Sequence, residues 1–466
     1  MKTSENKTSL FPCRQIPGDP ADTKLLGLYR QAQEDRWLQR VKIPGGELTG
    51  LAWRKLAELA RRFTPATPLH LTTRQDIEIH DLQASDVPAV HLELQAAGLS
   101  SFTAAGDTPR NTVVCPCSGT RAGSVSLRPL ARLIESQAAE IDGVYTLPRK
   151  FKMSLSCGPG CGQPWITDLG LVFKRREGLA GFEVVAAGSL GARPGTGVVL
   201  MDWLASQDVV PLVIATIRFF AAHGDRENRR KARLRHVRER MGDDVFIARL
   251  TEVFERTRAE KDWPVATLDP ARLDHPAKQT LTFANGDVSP AMADDLAALA
   301  EDAETLVWLD THHRVVVFGR SEAGLKEKLD AAASLWPAAN LAASVVACPG
   351  KRWCAHGLVD TNSPADVIRQ RFAKILPAGT TVCISGCPNG CAHPAVADIG
   401  LTGRIIQDDA GLKTDAFDIL TDGGMGRDER LAKPIATKIP AKNVADEIEK
   451  FTMKSMFTMK HMKSMK

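Results

Sequence analysis

The sequence has 466 residues, 44% hydrophobic and 25% charged, which is typical of a globular protein with roughly two to four domains. The net charge of +5 suits an anionic ligand or an acidic partner, but it is too small to indicate a nucleic-acid-binding protein. The start lacks the apolar core of a signal peptide, and no run of about 18 apolar residues follows, so we expect a cytoplasmic protein without a membrane partner. Ten cysteines in that compartment indicate metal or redox chemistry rather than disulfides.

The predicted elements occur twice along the chain. GGELTGLAWRKLAELA from Gly45 has a counterpart in NGDVSPAMADDLAALA from Asn285. Thr49 and Ser289 each precede apolar residues at helical spacing, as a helix N-cap residue does. Strand-like stretches follow, TPLHLTTRQDIEIHDL and TLVWLDTHHRVVVFGR, and then β-branched runs that end in Cys-Pro, TVVCPCSG and SVVACPGK. The sequence therefore predicts an α+β protein made of two related copies.

A cysteine-rich phrase closes each copy. SCGPGCGQPWITDLGL recurs at a constant offset of 230 residues in SGCPNGCAHPAVADIGL, which pairs Cys157 with Cys387 and Cys161 with Cys391. Copy two also has Cys348 and Cys354 in a C-x5-C loop. Four thiolates from two loops suit a [4Fe–4S] cluster, whereas a zinc site more often has C-x2-C pairs, and inert buried cysteines are the plainer alternative. Cys383 lies within the preceding strand and is predicted to be a core residue.

Copy one has cations that copy two lacks. At the offsets used above, Arg40, Arg110, Lys150 and Lys152 correspond to Thr280, Ala343, Thr380 and Val382. Lys150 and Lys152 alternate in the strand-like RKFKMSLS, so both side chains should point to one face. Cations that converge on one pocket are costly unless an anion fills it. The pattern predicts that one copy supplies a redox metal and the other an anion site.

Copy one also contains cysteines of its own at Cys115, Cys117, Cys157 and Cys161. They are candidates for a second cluster, because three of them match the offsets of cluster ligands in copy two. The alternative is that they are remnants of the duplicated ancestor, packed as small apolar residues. Counting iron separates the two interpretations.

We predict seven segments. They are an N-terminal arm (1–35), a first half-domain (36–104), a first domain with the anion site (105–220), a basic helical connector (221–269), a second half-domain (270–343), a domain with the [4Fe–4S] site (344–445) and a Lys/Met-rich tail (446–466). The tail is predicted to be an unstructured segment.

The chain resembles the siroheme-containing sulfite and nitrite reductase family. The resemblance rests on RVKIPGG, LTTRQDIEIH, DTPRNTVVCP, LPRKFK, GDRENRRKARL, ACPGKRWC and SGCPNGCAHPAVADIG, in the family's order over roughly residues 36 to 445. It implies a pseudo-twofold, internally duplicated α+β fold, in which each half has a ferredoxin-like half-domain and a mixed α/β domain. It also implies one siroheme coupled to one [4Fe–4S] cluster.

The resemblance assigns roles to particular residues. It implies that Cys348, Cys354, Cys387 and Cys391 hold the cluster, with Cys391 bridging to the siroheme iron. Arg40, Arg110, Lys150 and Lys152 would surround the bound oxyanion and carry the catalysis. Arg74, His80, Arg149 and Asn389 would approach the siroheme, whose carboxylates call for Arg forks.

These roles predict a sulfite reductase that converts sulfite to sulfide with six electrons from an external donor, such as ferredoxin or a reductase flavoprotein. The alternative is a ferredoxin-dependent nitrite reductase, which forms ammonia. LPRKFK favours sulfite, since nitrite reductases of this family tend to have Asn where Lys152 stands. More distant alternatives are a precorrin-modifying oxygenase and a non-catalytic siroheme-binding protein.

Overall fold

The computed structural model describes residues 18–120, 122–270, 274–339, 344–372, 375–377, 379–407, 411–424 and 430–452. These residues form two compact units. Unit one draws on residues 1–189 and 195–340, and unit two on residues 190–194, 341–424 and 428–466. Most of the predicted Lys/Met tail, from residue 453 onward, lies outside the described residues, as do the first 17 residues of the predicted arm and Ala343.

Unit one begins with a half-domain in which helices cover one antiparallel sheet. Its elements are α1 (Pro20–Leu25), β1 (Leu28–Arg30), β2 (Arg36–Val41), α2 (Gly50–Phe63), β3 (Leu69–Leu71), β4 (Ile77–Gln83) and α3 (Val87–Ala96). The Thr49 hydroxyl accepts a hydrogen bond from Ala52 N at 3.2 Å, which confirms the predicted N-cap of α2. The described part of the arm adds β1 to the edge of this sheet, next to β2.

The second half-domain of unit one repeats this arrangement. It comprises β10 (Ala277–Thr282), β11 (Asp287–Val288), α8 (Pro290–Glu301), β12 (Thr305–Leu309), β13 (Arg314–Gly319), α9 (Glu322–Ala331) and α10 (Trp336–Ala339). Ser289 caps α8 as Thr49 caps α2. The two half-domains exchange edges, because β11 pairs with β3 while Glu47 forms a bridge to Trp308 in β12. Their apolar side chains form one hydrophobic core, so the duplication is a pseudo-twofold pair.

A five-stranded mixed sheet forms the rest of unit one. Its elements are β5 (Val113–Val114), α4 (Arg128–Ala139), β6 (Met153–Ser156), β7 (Leu169–Arg176), β8 (Leu179–Ala186), β9 (Val198–Ala205) and α5 (Val209–His223). The strand order is β5-β6-β7-β8-β9, with the first three strands parallel and the others antiparallel. The connector supplies α6 (Leu234–Met241) and α7 (Asp243–Arg258), which confirms the predicted helices.

Unit two contains a sheet of the same topology. Its elements are β14 (Ser344–Ala347), α11 (Gly350–Trp353), α12 (Asn362–Phe372), β15 (Thr381–Ser385), β16 (Ile399–Gln407), β17 (Lys413–Thr421) and β18 (Lys433–Pro440). The order β14-β15-β16-β17-β18 again has three parallel strands followed by antiparallel ones. The predicted duplicated α+β fold is therefore confirmed. Cys383 lies in β15 and is 2% exposed, as a core residue should be.

The repeated phrase has a structural task in both units. Asp168 Oδ2 accepts from Lys152 N at 2.7 Å, and Asp398 Oδ2 accepts from Thr381 N at 2.8 Å, so each carboxylate fixes the start of a strand. A Cβ on Gly170 would lie 2.4 Å from Pro164 Cα. In copy two, a Cβ on Gly400 would lie 2.1 Å from Pro394 O. Asp, Gly and Pro recur because this corner of the fold requires them.

The strand register corrects the constant offset of 230. Cys115 N donates to Leu155 O and Cys348 N donates to Ile384 O, so Ser156 corresponds to Ser385, at an offset of 229. The loop that follows has one residue fewer in copy one, and Cys157 therefore corresponds to Gly386 rather than to Cys387. Likewise, Lys152 corresponds to Thr381 rather than to Val382. Copy two still lacks a cation at that position.

None of the described helices is both long enough and apolar enough to cross a membrane.

Candidate functional site

Arg40 is the first of the predicted cations, and it lies at the end of a short chain of buried charges. Its Nε donates to Glu78 Oε1 at 2.7 Å across the β2–β4 pair, and Glu78 Oε2 contacts His80 Nε2 at 2.9 Å. Burial alone would raise the pKa of Glu78, but Arg40 and His80 outweigh it and hold that pKa well below its usual range. Burial lowers the pKa of His80. His80 Nδ1 also contacts Gln31 Oε1 at 3.1 Å, and the siroheme contact predicted for His80 stays a prediction.

Arg110 meets Arg40 on one carbonyl oxygen. Arg110 NH1 donates to Ala104 O at 2.9 Å, and Arg40 NH1 donates to the same oxygen at 3.2 Å. Arg110 also donates twice to Gly106 O, and burial lowers its pKa. No described carboxylate lies within 4.0 Å of its guanidinium, which is held instead by these carbonyls and by the Tyr29 side chain.

Tyr29 lies beside these two arginines, and no sequence pattern indicated it as a site residue. The Arg40 guanidinium is 5.2 Å from the centre of the Tyr29 ring. Burial alone would raise the pKa of Tyr29, but Arg110 and Arg40 outweigh it and lower that pKa. Tyr29 is one of two tyrosines in the chain, and its position at the edge strand β1 follows from the tertiary fold.

Lys150 and Lys152 flank Phe151 just before β6. The Phe151 side chain is fully buried in the core while both lysines are half-buried, so a shared opposite face for the lysines stays a prediction from alternation. Phe151 O accepts from Arg110 N at 2.8 Å, which brings this segment next to Arg110. The structure thus gathers Arg40, Arg110 and the segment that contains both lysines within unit one.

Arg74 is a buried guanidinium without a carboxylate partner. It is 9% exposed and donates through NH2 to Asn111 O and Met153 O. Its Nε has no hydrogen-bond partner among the described atoms, and burial lowers its pKa to about 10. An orphaned buried donor of this kind fits a bound anionic group, such as a carboxylate of a tetrapyrrole.

The connector brings two of its arginines, Arg229 and Arg233, to carboxylates of unit one. Arg149 NH1 contacts Asp107 Oδ1 at 3.4 Å, and Arg229 contacts Asp107 Oδ2 at 2.8 Å. Arg233 binds both oxygens of Asp168, the carboxylate that holds Lys152 N. The contacts of Arg233 and Arg229 link residues 65 and 122 positions apart, which the sequence could not pair.

Three of the predicted cluster ligands in unit two lie close enough to act on one another. Burial raises the pKa of Cys348, and the charges of Cys391 and Cys387 raise it further. Gly386 N donates to Cys348 Sγ at 3.2 Å, and His356 N donates to Cys354 Sγ at 3.4 Å. Backbone N–H groups directed at cysteine sulfurs are among the contacts that tune iron–sulfur clusters. These residues fit a [4Fe–4S] cluster.

Asn389 and Cys391 form the exposed part of the second cysteine loop. Gly390, between them, has φ of +65°, a conformation that favours glycine and lets the loop turn. The bridging role predicted for Cys391 and the siroheme contact predicted for Asn389 stay predictions.

The four cysteines of copy one also meet, in unit one. The Sγ atoms of Cys115, Cys117, Cys157 and Cys161 all lie within 4.8 Å of one another. Cys117 Sγ is 3.3 Å from Cys157 Sγ, which is 3.6 Å from Cys161 Sγ. Hydrogen bonds from the neighbouring thiols, that of Cys115 first, lower the pKa of Cys117. The sequence offered these residues as candidates for a second cluster, and the structure draws all four together as a metal site would require.

Comparisons with known proteins bear on these features. The "Nitrite and sulphite reductase 4Fe-4S domain" family matches residues 105–258 and 338–453, and the "Nitrite/Sulfite reductase ferredoxin-like half domain" family matches residues 29–97. The NirA protein of Mycobacterium tuberculosis has the same fold, with a TM-score of 0.79 and 22% identity over 95% of this chain and 88% of that one.

Three curated relatives are similar over most of their length. Ferredoxin–nitrite reductase of Synechococcus elongatus is 29% identical, covering 92% of this chain and 89% of the relative. The chloroplastic ferredoxin–nitrite reductase of Zea mays is 28% identical, covering 92% and 81%. The assimilatory ferredoxin-dependent nitrite reductase of Haloferax mediterranei is 28% identical, covering 93% and 83%.

Proposed function

We propose, since this chain belongs to the nitrite and sulphite reductase family, that it reduces nitrite to ammonia with electrons from ferredoxin. The family's cofactors are siroheme and a [4Fe–4S] cluster, which supply electrons and the iron that binds the substrate. The relatives named above support nitrite over the sulfite that the sequence favoured, because all three are nitrite reductases. Nitrite, the alternative in the sequence analysis, therefore replaces sulfite as the proposed substrate.

One observation carries the proposal: two buried guanidiniums of unit one, Arg74 and Arg110, have no carboxylate within 4.0 Å among the described residues. Buried charge without a counterion is costly, so a site of this kind is built for an anion that arrives from outside. Arg74 would bind a siroheme carboxylate, as would Arg149. Arg110 and Arg40 would hold the substrate oxyanion.

The chain's own residues would perform two tasks on nitrite. Arg40 and Arg110 neutralise the anion, and their fixed hydrogen bonds to Ala104 O keep them in place without reorganisation. Conversion of nitrite to ammonium consumes eight protons, so donors are needed beside the departing oxygens. Lys150 and Lys152 would donate them. Cys348, Cys354, Cys387 and Cys391 would hold the cluster.

Sulfite stays a second candidate because of Lys152. The backbone N–H of Lys152 donates to the buried Asp168, which is bound in turn by Arg233. These contacts fix the backbone of Lys152 at the start of β6. A dianion gains more from a second lysine than a monoanion does, which would favour sulfite.

Turnover of both anions with one artificial donor tests the proposal. Purified holoenzyme with reduced methyl viologen should reduce nitrite with the higher kcat/KM, and reduced ferredoxin should replace the dye. A higher kcat/KM for sulfite would reverse the substrate assignment, and absence of both activities in cofactor-replete protein would refute it.

Lys152→Asn should separate the substrates. Loss of one positioned cation costs on the order of a hundredfold in turnover if it acts like an oxyanion donor, and we expect the loss to be larger for sulfite than for nitrite. Lys174→Asn, at a half-buried position of β7 where the lysine pairs with Asp202, is the matched control and should leave both rates unchanged. Equal rates for the Lys152 variant and wild type, with cofactor content unchanged, would contradict its role.

A further inference from the structure

The cysteine group of unit one has the dimensions of a site for a single ion. A tetrahedral ion with metal–sulfur bonds of about 2.3 Å places its four sulfurs about 3.8 Å apart. The Sγ atoms of Cys117 and Cys161 lie 3.3 and 3.6 Å from that of Cys157, and all four sulfurs lie within 4.8 Å of one another. A cubane cluster inserts four irons and four sulfides between its thiolates, so its ligand sulfurs stand farther apart. No other set of three or more Cys, His, Asp or Glu side chains within the described ranges is drawn together in this way.

The backbone explains why copy one makes the tighter group. In copy two, Gly386 N donates to Cys348 Sγ and the next residue, Cys387, carries the thiol. In copy one, Cys157 itself occupies the position of Gly386, and its own N–H donates to Cys115 Sγ at 3.0 Å. The thiol of Cys157 is thereby placed one residue closer to the strand end. The shorter loop therefore brings the sulfurs to a spacing that suits a single metal ion rather than a cubane cluster.

The first loop is also shorter in copy one. Cys115 and Cys117 are separated by one residue, whereas Cys348 and Cys354 are separated by five, which include all of α11. Cys115 N is fixed by Leu155 O at 3.0 Å, and Ser118 N returns to Cys115 O at 3.0 Å. The two thiols of this turn therefore lie close together before any metal binds. Pre-organised thiols lower the conformational cost of binding an ion.

A buried cation balances the charge of such a site. Arg128 is 2% exposed, its NH1 donates to Ser118 O at 2.9 Å, and its guanidinium stacks on the Trp308 ring at 3.5 Å. Its Nε and NH2 have no hydrogen-bond partner among the described atoms. A divalent ion with four thiolates has a net charge of −2, which a neighbouring buried guanidinium stabilises.

We propose that Cys115, Cys117, Cys157 and Cys161 bind one structural zinc ion. A closed, tetrahedral four-thiolate site is the usual form of structural zinc, and it has no free position for a substrate. Cys157 directly follows β6 and Lys152 directly precedes it, so the ion and the cation site lie at opposite ends of one strand, roughly 16 Å apart for five residues of extended chain. The zinc would stabilise the strand ends and take no part in the reduction.

Metal analysis of the purified holoenzyme is the first test. We expect about one zinc per chain beside the iron of one siroheme and one [4Fe–4S] cluster. A mercurial that blocks thiols should release that zinc to a chromogenic chelator from the unmutated protein. Four further irons with matching labile sulfide would overturn the proposal in favour of a second cluster. Absence of both zinc and extra iron would overturn it in favour of packed, inert thiols.

A pair of variants assigns the zinc to this site. Cys117→Ser should lose zinc, lower the thermal unfolding midpoint and leave iron and labile sulfide unchanged. Cys383→Ser, a buried cysteine outside the group, should retain zinc. Zinc retained in Cys117→Ser, or lost equally from both variants, would contradict the assignment. Failure of Cys117→Ser to fold would leave the release measurement on the unmutated chain to decide.

Discussion

At the scale of single residues, Glu78 sets the charge balance beside the anion site. It is buried between Arg40 and His80, and both groups favour its ionised form. Because the pKa of Glu78 is lower in the folded chain than its ordinary value of 4.5, its carboxylate stabilises the fold above that value. This contribution is lost as the pH falls below it.

Replacing Glu78 should therefore have a pH-dependent cost. Glu78→Gln should lower the free energy of unfolding at pH 7 by on the order of 3 kcal/mol, because it leaves the largely buried Arg40 unpaired. The difference from wild type should shrink near pH 3, where the carboxylate is protonated in the unfolded chain but still ionised in the folded one. Urea unfolding at both pH values measures it.

Glu58→Gln is the control for that measurement. Glu58 forms an exposed pair with Lys55 on α2, so its loss should change stability by less than about 0.5 kcal/mol at either pH. A Glu78→Gln defect of the same size at both pH values would argue against charge as its cause.

The residues that the sequence identified are those with a local pattern. Thr49 and Ser289 were found as caps because an N-cap precedes an apolar period. Tyr29 and Arg233 were missed as site residues because each depends on a contact made far along the chain. No pattern near either residue reveals such a partner.

At the scale of elements, the corner between β6 and β7 is fixed by Asp168. Its buried carboxylate accepts from Lys152 N and binds Arg233 with both oxygens. Its counterpart Asp398 binds Thr381 N and the Thr381 hydroxyl, and it is exposed. The same corner of the fold therefore has a buried carboxylate in copy one and an exposed carboxylate in copy two.

Comparing these two carboxylates tests the importance of the buried corner. Asp168→Asn should cost on the order of 3 kcal/mol, since it leaves Arg233 without its counterion, and should raise KM for the anion by shifting Lys152. Asp398→Asn should cost less than about 1 kcal/mol and leave KM unchanged. Thermal unfolding and steady-state kinetics on both variants provide the readouts. Equal effects would show that the Arg233 contact adds nothing.

The element order could be predicted from the sequence, but the register could not. Alternation, caps and Cys-Pro turns indicated the strands around Cys115 and Cys348, and they are present. The offset of 230 hides a one-residue difference in loop length, because it still matches the Cys, Pro, Asp and Gly residues of the two repeated phrases. Only the hydrogen bonds from Cys157 N and Gly386 N show where the loops differ.

At the scale of the whole molecule, the two ferredoxin-like half-domains share one core. Helices α2 and α8 pack antiparallel, as the pairs Arg54–Glu301 and Arg61–Asp294 show. Leu56 and Leu296 are fully buried in the common cluster. Neither half-domain can lose its core without exposing that of the other.

Core substitutions should therefore destabilise both half-domains together. Leu56→Ala and Leu296→Ala should each cost about 2–5 kcal/mol, and each should accelerate amide hydrogen exchange equally in β4 and in β13. Leu51→Ala, at a position of α2 that is 77% exposed, is the control and should change neither. Acceleration confined to the mutated half-domain would show two independent folding units.

Loss or gain of a single codon between Ser156 and Pro164 is enough to exchange a glycine for a cysteine at the end of a strand. The hydrophobic core, the hydrogen bond from Lys152 N to Asp168 and the close contact between Gly170 and Pro164 are all retained when the loop changes length. Duplicated proteins can thus diverge in inorganic chemistry through the length of one loop, while mutational drift in the rest of the scaffold stays under the same packing constraints.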